Sequence, residues 1–172
     1  MKTVVITGST RGIGYGLADE FLKRGCQVTI NGRSQSGVDK AIASLSQKHG
    51  SERLAGQAGD VVKPEDHQAL WETAVSTFGK VDIWINNAGI SHRSLFLDTD
   101  PAVIRRVMEI NYFGLLNSSR AALPYLKKSR GRLVNIASMA GLTGAFGYSA
   151  YCASKHALVG LSEVQRFELK PL

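Results

Sequence analysis

Ser138, Tyr151 and Lys155 are the side chains best suited to proton chemistry. A tyrosine and a lysine four apart share one face of a helix, within side-chain reach of each other. A free phenol ionises near pH ~10, too high for a proton shuttle at neutral pH. A neighbouring ammonium favours the phenolate and brings such a group toward the range where an acid/base works best. Taken alone, the pair is also what a helix surface shows by accident. What sets it apart is a second signature near the start of the chain, Thr7-Gly8-Ser9-Thr10-Arg11-Gly12-Ile13-Gly14. It follows a β-branched run and precedes a helical pattern. Strand, glycine turn and helix start together make an anion site from backbone N–H groups and the helix dipole. The glycines are spaced by three residues and then one, unlike the usual dinucleotide G-x-G-x-x-G. A merely tight strand-to-helix turn is the competing reading.

The elements that must position these residues alternate strand and helix. Strands are predicted near residues 2–7, 26–31, 53–57, 81–86 and 132–138. Helices are predicted near 12–24, 36–49, 64–78, from Pro101 toward Lys128, and 149–170. Asp100 followed by Pro101 suits an N-cap with proline at the first helical position. Residues 141–147 read as a glycine-rich loop. The alternation implies a parallel sheet with helices on both faces. In such a sheet, ligands bind beyond the carboxyl ends of the strands. The glycine turn, Arg33, Asp60, Asn86 and Ser138 all fall at or just after a strand end, so they are expected on one edge.

Composition sets the remaining bounds. The chain has 172 residues, 44% of them hydrophobic, enough for one domain with a real core. No apolar run reaches the ~18–20 residues of a membrane helix. No signal peptide is read at the start, and the expected location is the cytoplasm. Cys26 and Cys152 fit no metal or disulfide framework, so no metal is expected. The net charge is +7, and residues 101–172 carry 10 basic against 3 acidic side chains. Lys127, Lys128, Arg130 and Arg132 form the densest cluster. It suits nucleic acid or acidic lipid, or a solvated helix end whose cations favour the dipole. No nucleic-acid motif accompanies it, and the helix end is preferred.

The motifs in order, residues 7–14, Asp60-Val61, Asn86-Asn87-Ala88-Gly89, Asn111, Ser138 and Tyr151 with Lys155, resemble the short-chain dehydrogenase/reductase family over nearly the whole chain. The resemblance implies a doubly wound, Rossmann-type α/β sheet with strand order 3-2-1-4-5, forming a single nucleotide-binding domain. It implies hydride transfer between a nicotinamide and a carbonyl or alcohol. Tyr151 would be the acid/base, and Lys155 would favour the phenolate and contact the nicotinamide ribose. Ser138 would bond the substrate oxygen, and Asn111 would distort its helix and support a water linked to the lysine. Gly8, Ser9, Arg11, Gly12, Ile13, Gly14, Asp60, Val61, Asn87, Ala88 and Gly89 would bind cofactor alongside Tyr151 and Lys155. It also implies a homodimer or tetramer built through the helices that begin near Pro101 and carry Tyr151.

The turn after the second strand reads Asn31-Gly32-Arg33-Ser34, with no carboxylate at its tip. An acid there would select NAD through the ribose hydroxyl. Arg33, with Arg11, instead suits a 2′-phosphate, and NADP(H) is expected over NAD(H). Loops carrying His92, Leu95, Phe96, Leu142 and Phe146 suggest a small, partly apolar carbonyl or alcohol substrate. Family members continue into two further strands and a substrate-covering segment, and this sequence stops before them. The domain is therefore expected to be incomplete at its C-terminus, with the fifth strand as an open edge. Two other readings stand beside the enzyme: a truncated, catalytically impaired nucleotide-binding module, and a basic interaction module using residues 127–132.

Overall fold

A computed structural model describes residues 1–169. Five parallel strands alternate with helices. They are β1 (Thr3–Ile6), β2 (Gln27–Gly32), β3 (Leu54–Ala58), β4 (Ile83–Asn86) and β5 (Arg132–Asn135). The helices are α1 (Gly12–Lys23), α2 (Gln35–His49), α3 (Pro64–Phe78), α4 (Pro101–Met108), α5 (Gly114–Ser129) and α6 (Ser149–Glu168). The sheet order is β3-β2-β1-β4-β5, as the family resemblance implies, and every neighbouring pair is parallel. The predicted end of the last helix at Lys170 lies outside the described residues.

The period of two along each strand builds both core layers. On one face Val4, Ile6, Val28, Ile30 and Ile85 pack against Ala18 and Leu22 of α1 and Val38, Ala41 and Leu45 of α2. On the other, Val5 and Trp84 pack against Leu70, Trp71 and Ala74 of α3 and Ala122 and Leu126 of α5. Each fully buried Leu, Ile or Val contributes about 1.5–3 kcal/mol relative to exposure. Parallel strands covered on both faces are apolar throughout, which is why Thr3-Val4-Val5-Ile6 reads as a run rather than an alternation.

Helix α4 begins as predicted: the Asp100 carboxylate accepts from Ala102 N at 2.8 Å, with Pro101 at the first position. The helix toward Lys128 is not one uniform α-helix. Residues Glu109–Phe113 form a π-helical segment between α4 and α5. Helix α6 packs along α4 and this segment. It is also tied to β5, where Asn135 Nδ2 donates to Ser162 Oγ at 2.9 Å and Gln165 Oε1 at 3.1 Å.

Strand β5 pairs only with β4 and forms an edge among the described residues. A groove of about 970 Å³ runs beside it, lined in part by Leu133, Asn135, Lys127, Arg130 and Arg166. Lys127 and Lys128 occupy the last turn of α5, where cations suit the carbonyl end of the helix. No described helix is long and apolar enough to cross a membrane.

Candidate active site and nucleotide cleft

The glycine turn is built where β1 meets α1. Gly8 has φ +61°, a left-handed conformation, and a Cβ there would lie 2.8 Å from Ala88 Cα. Only glycine lets the turn sit against the segment leaving β4. That segment clamps the turn in return. Asn87 Nδ2 donates to the carbonyls of Thr7 and Gly8 at 2.9 and 3.0 Å. Thr7 Oγ1 accepts from the backbone N–H groups of Asn87 and Ala88 at 3.0 and 3.1 Å. Helix α1 starts after Arg11, with no side-chain cap and no acidic residue in its first turn. Its first N–H groups therefore remain donors for an anion.

A cleft of about 710 Å³ opens above this turn. Gly8, Arg11, Gly12, Ile13 and Gly14 line one side, Arg33 and Ser34 the end of β2, Asp60 and Val61 the end of β3, and Asn87, Ala88 and Gly89 the end of β4. Arg11 and Arg33 are exposed, and neither pairs with a carboxylate among the described residues. Asp60 Oδ1 accepts from Val62 N at 3.2 Å, and its Oδ2 lies 3.9 Å from Arg106 Nη2. Asp60 is thus a turn-former facing the cleft and not the cap of α3, a position held by Lys63.

Ser9 lies elsewhere than the sequence suggests. It is fully buried beneath the turn, donates to Ile6 O at 2.6 Å and accepts from Asn31 N at 2.9 Å. It shapes the floor and does not line the cleft. Asn31, absent from the sequence-derived site, does line it. Its Oδ1 accepts from Gly8 N at 3.2 Å, while Nδ2 donates to Gln57 O and Gly59 O at 3.1 and 3.2 Å. One amide thereby joins the ends of β1, β2 and β3. Its position at the end of a strand, beside the Gly32-Arg33 turn, was the available signal. Thr10, Gly32, Gly59, Ile90 and Ile110 also line the cleft.

Helix α6 carries Tyr151 and Lys155, the pair expected to handle protons. Lys155 is only 5% exposed, and Nζ donates to Ile136 O at 2.9 Å. It sits 5.8 Å from the Tyr151 ring centroid. No ion pair neutralises it among the described residues. Burial holds its pKa below the usual lysine value. An ammonium has three donors, and the one protein acceptor found here leaves two for a ligand. Ser138 follows β5, and its Oγ accepts from Ala140 N at 3.2 Å, capping the 3₁₀ turn Met139–Gly141. The Ser138 O–H proton remains free to be donated. A Cβ at Gly141 would lie 2.7 Å from Lys155 O, so this turn packs directly on α6 beside the lysine.

Asn111 sits at the centre of the π segment, buried. Its Nδ2 donates to Ile90 O and to Ser154 Oγ, both at 2.9 Å, and its Oδ1 accepts from Ile90 N at 2.8 Å. The π turn, a frequent mark of functional sites, aims the amide at the loop after β4 and at α6 together. Asn111 is therefore the tie between the cleft wall and the helix of Tyr151 and Lys155. Ser138, Tyr151 and Lys155 do not line the 710 Å³ cleft themselves. Asn111 links α6 to it through Ile90 on the cleft wall and Ser154, the residue before Lys155.

Comparison with known proteins gives the family. The sequence matches the short chain dehydrogenase family over residues 2–172. It is 35% identical to an 11-beta-hydroxysteroid dehydrogenase-like protein, 4A, of Arabidopsis thaliana, over 99% of this chain and 57% of that protein. It is 38% identical to 11-beta-hydroxysteroid dehydrogenase A of Arachis hypogaea, over 98% of this chain and 48% of that one. With a D-beta-hydroxybutyrate dehydrogenase of Cupriavidus necator the identity is 36%, over 97% and 64%. The chain spans about half to two thirds of the length of these relatives. With a glycine turn clamped by Asn87, a buried lysine beside a tyrosine, and a match over its full length, the chain belongs to the short-chain dehydrogenase family.

Proposed function

We propose that this chain carries the NADP(H)-binding and proton-transfer machinery of an oxidoreductase interconverting a carbonyl and an alcohol. The observation that carries the reading is Lys155: a buried ammonium with one protein acceptor, beside Tyr151 on the helix that Asn111 ties to the cleft wall. Leaving a buried cation's donors unpaired is costly, so a ligand with hydroxyl acceptors fits there. The residues of the cleft suit a dinucleotide equally well. The free N–H groups of α1 suit its phosphates, and the unpaired Arg11 and Arg33 suit a 2′-phosphate. That pair, with no acid at the β2 tip, favours NADP(H) over NAD(H).

When bound, the nicotinamide supplies a hydride to the carbonyl carbon, or accepts one from the alcohol carbon. In reduction the Tyr151 hydroxyl donates its proton to the carbonyl oxygen as the bond order falls, and in oxidation the phenolate takes that proton back. Lys155 places its charge 5.8 Å from the Tyr151 ring and presents its remaining donors to the ribose. Ser138 donates its free O–H to the same substrate oxygen, where charge develops. Asn111 holds α6 in register with the cleft.

The relatives' names speak of hydroxysteroids and hydroxybutyrate. Here Phe96, Leu97, Met139, Leu142 and Phe146 are exposed on the loops after β4 and β5. These loops are joined by Ser94 N donating to Gly147 O at 2.9 Å. This favours a partly apolar substrate.

The test is Tyr151→Phe, which removes the transferable proton and keeps the ring. Turnover with a carbonyl substrate should fall about 10²–10⁴-fold, with NADPH affinity unchanged. Near-normal turnover would remove the tyrosine from the mechanism. NADPH binding by the unmodified chain with no turnover of any carbonyl would leave a nucleotide-binding module.

A further inference from the structure

Beneath the Asp60–Val61 side of the cleft lies a polar residue that the proposed reaction does not use. His67, on the first turns of α3, is 2% exposed. Its Nε2 lies 2.8 Å from Val61 O. A carbonyl only accepts, so the ring proton is on Nε2 and the histidine donates. The preceding residue acts on the same turn: Asp66 Oδ2 accepts from Asp60 N at 2.7 Å. Two consecutive side chains of α3 thus grip the turn that presents Asp60 and Val61 to the cleft. Gly114 of α5 closes on it as well, since a Cβ there would lie 3.0 Å from Val61 Cγ2 and 3.2 Å from Val61 O. An apolar side chain would fill the place of His67 in the core. It would not bond the carbonyl.

We propose that His67 is a positioning residue for the cofactor, holding the Asp60–Val61 turn in the shape that receives the adenine half through its Nε2–H bond to Val61. This rests on the dinucleotide reading of the cleft. The reason is mechanical. Beyond Ala58 the turn keeps one backbone bond to β2, Gly59 N to Gly32 O at 2.9 Å, and one of its own, Lys63 N to Asp60 O at 2.9 Å, while the Asp60 and Val62 amides and the Val61 carbonyl are held by side chains. Loosening one of them makes the bound shape one of several, and affinity falls by the fraction of time that shape is lost. Burial opposes protonation of the imidazole, while the Asp60 and Asp66 carboxylates favour it. Burial prevails, and the neutral donor form is retained.

The experiment titrates NADPH and adenosine 2′,5′-bisphosphate into the unmodified chain, His67→Leu and His67→Gln, well below their melting temperatures. Leucine fills the volume without a donor, and glutamine restores an N–H near Nε2. His67→Leu should weaken both ligands about three- to tenfold, the worth of one hydrogen bond, and His67→Gln should recover most of it. Equal loss for the adenine fragment and the whole cofactor places the effect on the adenine half. Unchanged affinities in His67→Leu would make His67 a packing residue and overturn the proposal. Failure of the unmodified chain to bind either ligand would overturn the dinucleotide reading, and this proposal with it. Should His67→Leu not fold, nitrogen NMR of the unmodified chain decides. The Nε2–H resonance of His67 should shift when adenosine bisphosphate binds, and a resonance that does not move contradicts the proposal.

Discussion

At the scale of single residues, the chemistry is concentrated in a lysine that the fold alone does not want. Lys155 is buried, unpaired and held below its usual pKa by desolvation. Replacing a buried charge by an apolar side chain of similar length is often stabilising. Lys155→Met should therefore raise the melting temperature of the ligand-free chain by about 2–4 °C, roughly 1 kcal/mol, while abolishing turnover. The pH dependence has a defined sign. The folded-state pKa lies below the unfolded value, so between the two the unfolded chain holds more protons and stability rises with pH. The advantage of Lys155→Met should shrink as pH rises from the lowered folded-state value toward 10.5, the ordinary lysine value. Melting curves of both proteins across that range check it. A variant less stable than the unmodified chain at neutral pH would mean that the lysine is satisfied within the fold. That Tyr151 and Lys155 would be neighbours was legible because residues four apart share a helix face. His67 was not, because a histidine within a helical pattern carries no sign of which carbonyl it will meet.

At the scale of elements, positions are set by close contacts between strand ends. Gly8 and Gly12 both have positive φ, but a Cβ at Gly8 would strike Ala88, whereas one at Gly12 meets nothing within 4 Å. The left-handed conformation alone costs a side chain about 1–2 kcal/mol. Gly12→Ala should lose about that much stability, and Gly8→Ala distinctly more, because the turn must also move off β4. Chemical denaturation of the two variants compares them directly, and equal losses would contradict the clamped turn. The alternation of strands and helices was legible because buried parallel strands and amphipathic helices have different periods. The helix predicted from Pro101 toward Lys128 runs on to Ser129 without a break in its course. The π segment around Asn111 was not visible in periodicity, since one widened turn barely changes the pattern of apolar positions. Ser9 misled for a similar reason: a serine in a glycine turn reads alike whether its hydroxyl faces the cleft or, as here, the strand beside it.

At the scale of the whole molecule, the described residues bring together a five-stranded sheet, a cleft at its strand ends, and α6 tied to the cleft wall by Asn111. The open edge of β5 and the groove beside it lie away from the nucleotide cleft, which draws its lining from the ends of β2, β3 and β4 and from the glycine turn after β1. Nucleotide binding is accordingly expected from this chain. The measurement that bears on this most directly is a thermal melt with excess NADPH, with excess NADH, and without ligand. A ligand held by the native state at a hundred times its dissociation constant stabilises by about 2.7 kcal/mol. For a chain of this size that corresponds to an upward shift of about 5–10 °C. A cooperative melt raised by NADPH, and raised less by NADH, is the expected result. Equal shifts would contradict the role given to Arg11 and Arg33, and no shift with either nucleotide would contradict the nucleotide site itself.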